Sequence, residues 1–140
     1  MAALEHSALT ADDVIARGGW HPRYARVLAL ASDGDYGLAV VDGNGDGAEL
    51  EEEQWLWDAE QGWLPGTSSG SGPLEMLASV ETGGQIDDTH YAYGRVRGAS
   101  SVRVSFGGRV YSVPAATDGV WAFVQHSSGA GSCDPPALVL

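Results

Sequence analysis

The chain of 140 residues has a single cysteine, Cys133, and no lysine. One thiol excludes an internal disulfide, so the cysteine pattern gives no pointer to an oxidising compartment. Positive charge is scarce. Seven arginines face nineteen acidic residues, for a formal net charge of −12. Such a surface repels phosphate backbones and anionic lipid, which argues against nucleic acid as a partner and leaves a basic protein, a cation or no charged partner at all. Long apolar runs are missing as well. No stretch approaches the roughly 20 residues of a membrane span, and the opening "MAALEHSALTADDVIARGG" has neither the basic start nor the apolar core of a signal peptide. The expectation is a cytoplasmic protein without membrane association.

Glycine is abundant, with twenty residues against about half that number in an average chain of this length. That excess fits many short strands joined by tight turns. Hydrophobic residues at 44% and charged residues at 19% are ordinary for a globular protein. A chain of this size can bury on the order of two-thirds of its unfolded surface, so one domain covering residues 1–140 is expected.

Residues 1–19 hold the one clear helix, in "SALTADDVIARGG". Thr10 is placed to cap it, Asp12 and Asp13 sit in the first turn where the helix dipole favours them, and Gly18-Gly19 end it after Arg17. From Arg23 the punctuation becomes that of β structure. "RYARVLALA" and "YGLAVV" flank the turn "SDGD". The next run, "AELEEEQWLWD", is read as a strand, with Glu49, Glu51, Glu53, Trp55 and Trp57 on one face. Leu50, Glu52, Gln54 and Leu56 then fall on the other. "GTSSGSGP" at 66–73 reads as a flexible joint. "THYAYGRVRG", "SSVRVSF", "RVYSVP" and "GVWAFVQH" follow as strands, with Gly107-Gly108 as a two-residue hairpin turn and Asp118-Gly119 as the next. Residues 127–140 read as a loose tail. Eight or nine short strands at this turn spacing indicate an antiparallel β-sandwich behind one short N-terminal helix.

The stretch "GRVRGASSVRVSFGGRVYSVPAATDGVWAFV", taken with "LAVVDGNGDG" and "GTSSGSGPL", resembles small actinobacterial β-sandwich proteins of the immunoglobulin-like or transthyretin-like kind. The resemblance implies a sandwich and carries no activity with it.

One motif carries metal chemistry on its face. Asp42, Asn44, Asp46, Gly47 and Glu53 satisfy D-x-[DN]-x-[DN]-G-x5-E, in which short oxygen ligands alternate, a glycine makes the bend and a Glu closes the site at position twelve. The flanks are strand-like rather than helical, position eight is the charged Glu49, and no second loop is present to pair with it. A glycine-rich turn is therefore the first expectation and a calcium loop the second. No other cofactor is expected.

The run from Glu49 to Trp63 suggests a partner surface. Glu49, Glu51 and Glu53 with Trp55, Trp57 and Trp63 could present indoles rimmed by negative charge. Since most tryptophan is largely buried, a core role for the indoles is the first expectation, and a half-covered face would serve both. The four histidines, His6, His21, His90 and His126, show no metal-ligand spacing. In "DDTHYAY", Asp87 or Asp88 could pair with His90 for proton transfer, against the simpler expectation of an exposed histidine after a turn. "GTSSG" at 66–70 matches G-x-S-x-G only formally, since the strand–turn–helix context is missing. Cys133 has no neighbouring base in sequence.

The leading expectation is a non-catalytic acidic module that engages a protein partner. A small enzyme or small-molecule-binding β-fold using His90 comes second, and a calcium-stabilised module third.

Overall fold

A computed structural model describes residues 4–81, 84–86, 88–115, 117–126 and 135–139, the Ile86 side chain excepted. Helix α1 spans Ala11–Arg17 and starts as its sequence predicts. The Thr10 side chain accepts the Asp13 N–H at 3.1 Å, and the Asp13 carboxylate accepts the Thr10 N–H at 3.1 Å, a reciprocal capping box. Seven residues are too few to hold a helix alone. Leu9 and Val14 are buried against Ala39, Val41, Trp55 and Trp63, contributing on the order of 3–5 kcal/mol between them. Arg17 Nη1 donates to the Trp63 carbonyl at 3.2 Å and fixes the far end.

The helix covers a four-stranded antiparallel meander of β1 (Arg26–Asp33), β2 (Tyr36–Asp42), β3 (Leu50–Asp58) and β4 (Gly62–Gly72). A second sheet holds β5 (Gly84–Ile86), β6 (Thr89–Arg95) and β9 (Val120–His126). A third holds β7 (Ser101–Phe106), β8 (Arg109–Pro114) and β10 (Ala137–Leu138), with β7 in the middle. The fold is thus mainly β, antiparallel and sandwich-like, as expected, with ten strands among the described residues.

The layering explains the apolar patterns. Leu28, Leu38, Val40 and Leu50 of the first sheet meet Tyr93, Val120, Ala122 and Val124 of the second. The opposite face of the second sheet turns Ala92, Trp121 and Phe123 against Val102, Val104, Phe106 and Val113 of the third. Strand β9 therefore has no solvent face over Val120–Val124, and its unbroken "VWAFV" is the consequence. Strand β2 is covered in the same way, by α1 on one side and the second sheet on the other.

Two turns follow their sequence signals. Gly107 and Gly108 both take positive φ, +61° and +78°, and close the β7–β8 hairpin with Phe106 paired to Arg109. Gly119, at φ +75°, brings the chain so close to the Val96 carbonyl that no side chain fits.

Two composition-based expectations are corrected. Residues 66–72 are not a joint but the second half of β4, paired to β3 through Glu53↔Ser68, Glu52↔Ser69, Glu51↔Gly70 and Leu50↔Gly72. The backbone groups of β3 need partners on that side, and small residues on an outer strand supply them without crowding. The segment "PLEMLASV" holds a single 3₁₀ turn, Leu74–Met76. Within the C-terminal stretch, residues 127–134 lie outside the described residues, while Ala137 and Leu138 pair with Ser105 and Val104 of β7 rather than trailing loose.

Candidate functional site

The calcium motif is complete in sequence and does not close in space. Asp42 is fully buried, and its two carboxylate oxygens accept the N–H groups of Gly45 at 3.0 Å and Gly47 at 2.8 Å. Asp46 accepts the Ala48 N–H at 3.0 Å, and Asn44 is exposed. Glu53 stands on β3 opposite Ala39, three register places beyond the Asp42↔Leu50 pair. A strand carries it about 10 Å from the loop base, where a helix would have folded it back. Among the described residues, no three Asp, Glu, His or Cys side chains gather as a metal site would require. The segment is a hairpin connection whose carboxylates satisfy its own backbone.

Strand β3 obeys period two, and its two faces have different fates. Trp55 and Trp63 are core residues under α1, and Trp57 is half-buried, edge-on to Trp63 at 5.6 Å and tilted against the His6 ring at 4.6 Å. Glu53 is buried with them and accepts the Trp20 indole N–H at 3.1 Å. Burial pushes the Glu53 carboxyl above its ordinary range. The indoles of Trp20 and Trp55 pull it back, and the charge of Glu51 adds to the rise. By its geometry Trp55 Nε1 has no hydrogen-bond partner among the described residues. Of the residues expected to form a partner surface, only Glu49 and Glu51, with part of Trp57, stay within reach of solvent. The N-terminal segment covers the rest.

The other face of β3 lines a polar cleft. Glu52 and Gln54 project across the gap between the first two sheets toward Tyr91 and Tyr93 of β6. Ser69, Gly70 and Ser71 of β4 form one wall, and Glu81 closes the far side of a pocket of about 450 Å³. The side chains hold one another in register. Thr67 Oγ1 donates to Gln54 Oε1 at 3.0 Å, and Gln54 Nε2 donates to the Tyr91 hydroxyl at 2.7 Å. Ser71 Oγ and the Tyr93 hydroxyl are 2.9 Å apart. Glu81 Oε1 accepts the Ala78 N–H at 2.7 Å.

Among the described residues that line this cleft there are two carboxylates, Glu52 and Glu81, and no arginine or histidine. Burial, opposed by the Ser71 hydrogen bond and reinforced by the Glu52 carboxylate, pushes Tyr93 up to about 12. Tyr91 rises too, through burial first and the charge of Glu52 second. Carboxylates and phenol faces arranged this way favour an ammonium or guanidinium group. Each contributing strand advertised part of the site by alternation: Glu52 and Gln54, Ser69 and Ser71, Tyr91 and Tyr93. Which strands would stand opposite one another was not readable from any of them.

His90 was expected on the surface and is instead 7% exposed, because β6 lies between two layers. Its ring is 4.9 Å from Phe106, on the face of β6 opposite to the tyrosines. It lines a second pocket, of about 460 Å³, with Val80, Gly84, Gln85, Ala92, Pro135 and Pro136. Asp88 is exposed in the β5–β6 turn and forms no ion pair with His90. Asp87 and Cys133 lie outside the described residues. The remaining histidines are dispersed: His6 pairs with Asp35 at 3.2 Å, His21 lies tilted against Tyr24, and His126 sits beside Thr89.

Among the described residues no helix is long and apolar enough to cross a membrane. Comparisons with protein-family models, with curated proteins and with solved structures find no match.

Proposed function

We propose that the protein is a non-catalytic binding module that engages a basic protein partner, receiving an arginine or lysine side chain of that partner in the cleft between Glu52 and Glu81. One observation carries this reading: two carboxylates converge on a cleft whose lining holds no cation. Glu52 is nearly buried there, and a buried carboxylate gains most from a cation that displaces its remaining water. The net charge of −12 would speed the encounter with a basic surface. Guanidinium fits better than ammonium, because it can lie flat against a phenol while donating to a carboxylate.

The test is calorimetric titration with a short arginine-containing peptide and with its citrulline counterpart, which keeps the shape and loses the charge. The arginine peptide should bind at least tenfold more tightly, and Glu52→Gln and Glu81→Gln should each remove about 1.5–3 kcal/mol of that affinity. Equal binding of the two peptides would sink the proposal.

A further inference from the structure

We propose that the pocket on the opposite face of β6 is a separate binding site, taking a small, uncharged, mainly apolar molecule with one hydrogen-bonding group, of the phenol or simple amide kind. His90 is more than nine-tenths buried as a residue, and its imidazole borders the pocket. The Phe106 ring lies 4.9 Å from it, an apolar contact. The His90 ring nitrogens are not among the fully buried, unpartnered atoms, so they still meet water through the cavity, and a ligand hydroxyl or amide can take the place of that water.

The cavity has the proportions of a small-molecule site. It measures about 460 Å³, and Val80, Ala92, Pro135 and Pro136 give it largely apolar walls, with His90 and Gln85 as the polar side chains among the described lining residues. An anion would have to enter against the net charge of the chain. A cation would meet no carboxylate among the described lining residues. Either would lose its hydration among proline and aliphatic carbons, whereas a hydroxyl or amide loses little and gains a bond to the imidazole. The site stands independently of the acidic cleft, since His90 and Ala92 face the third sheet while Tyr91 and Tyr93 face the first.

The experiment follows the histidine ring signals of the full chain, labelled with ¹³C-histidine, during titration with phenol, toluene and benzoate. The His90 signals are identified by their loss in His90→Leu. Phenol should shift them saturably and bind at least tenfold more tightly than toluene or benzoate. Val80→Trp, made at the exposed rim, should abolish the shift without disturbing the core. His90→Leu should bind phenol and toluene alike. If that variant fails to fold, the His90 ring is assigned through its backbone connectivity instead, and Val80→Trp carries the comparison. No saturable shift, an equal response to phenol and toluene, tighter binding of benzoate, or binding untouched by Val80→Trp would each overturn the proposal. Glu52→Gln, which should cripple the cleft, should leave this titration unchanged.

Discussion

Replacing Asp42 by alanine should cost about 3–4 kcal/mol, and the size of that loss separates a turn from a metal loop. The Asp42 side chain is fully buried, and it receives two backbone N–H groups, from Gly45 at 3.0 Å and from Gly47 at 2.8 Å. A hydrogen bond to an ionised carboxylate is worth about 1.5–3 kcal/mol, and a donor left unpaired in a buried place incurs its full desolvation cost. The two glycines are half-buried, so water can reach them in part, which favours the lower end of the sum. Relief of one negative charge in an acidic chain returns roughly a few tenths of a kcal/mol at ordinary salt. The loss would be a large fraction of a typical folding stability of about 5–15 kcal/mol. Asp42→Asn keeps one acceptor oxygen and turns an NH₂ toward the second donor, so it should fall between alanine and the parent. Asp46, exposed and bonded only to Ala48, should lose about 0.5–1 kcal/mol on replacement by alanine, and Asn44→Ala should stay within about 0.5 kcal/mol. Urea unfolding of the series in excess calcium and in excess chelator measures all of this together. A calcium loop predicts comparable losses at Asp42 and Asp46 and roughly 2.7 kcal/mol added by calcium at about 100 times its dissociation constant. Such an outcome, or an Asp42→Ala variant within about 1 kcal/mol of the parent, would refute the turn.

Glu53→Gln keeps the acceptor for the Trp20 indole and removes a carboxylate whose folded pKa is raised by burial. A raised pKa means that the stability contributed by the protonated form is complete below the unfolded value and is lost as pH rises through the folded one. The variant should therefore melt higher than the parent near pH 7, and the difference should vanish below the ordinary carboxylate range; a gain at every pH would contradict the assignment. Alkaline spectrophotometric titration should show Tyr93 missing from the ordinary tyrosine step near pH 10 and ionising at about 12, and Glu52→Gln should lower that step. An unchanged late step in Glu52→Gln would place the carboxylate's field elsewhere. Gly119→Ala combines a strained positive φ with a collision against the Val96 carbonyl, and should cost upwards of about 2 kcal/mol in thermal unfolding.

Period-two alternation, glycine turns and a capping residue are local properties, and they were legible. Thr10, the Gly107-Gly108 hairpin and the strand character of Leu50–Asp58 could be read because each depends on residues a few places apart. Composition was a poorer guide. The run of Ser and Gly in β4 looks like a linker until the unpaired edge of β3 requires a neighbour. The complete calcium pattern fails because closing it depends on whether the chain after the loop coils or extends.

By itself the sequence determined the kind of strand at each place, the sign of the surface charge and the alternation that put Glu52 and Gln54 on one face and Glu53 and Trp55 on the other. Only the tertiary structure decided which face meets solvent. The short segment ahead of β1 folds back over the tryptophan side and turns it into core, while the outward side of the same strand meets Tyr91 and Tyr93 across a gap. The same holds for β6, whose alternation separates His90 from its tyrosines without saying that each side would border a different cavity. Alternation assigns residues to faces through backbone geometry alone, whereas burial of a face depends on long-range packing of elements far apart in the chain, and no local pattern encodes that.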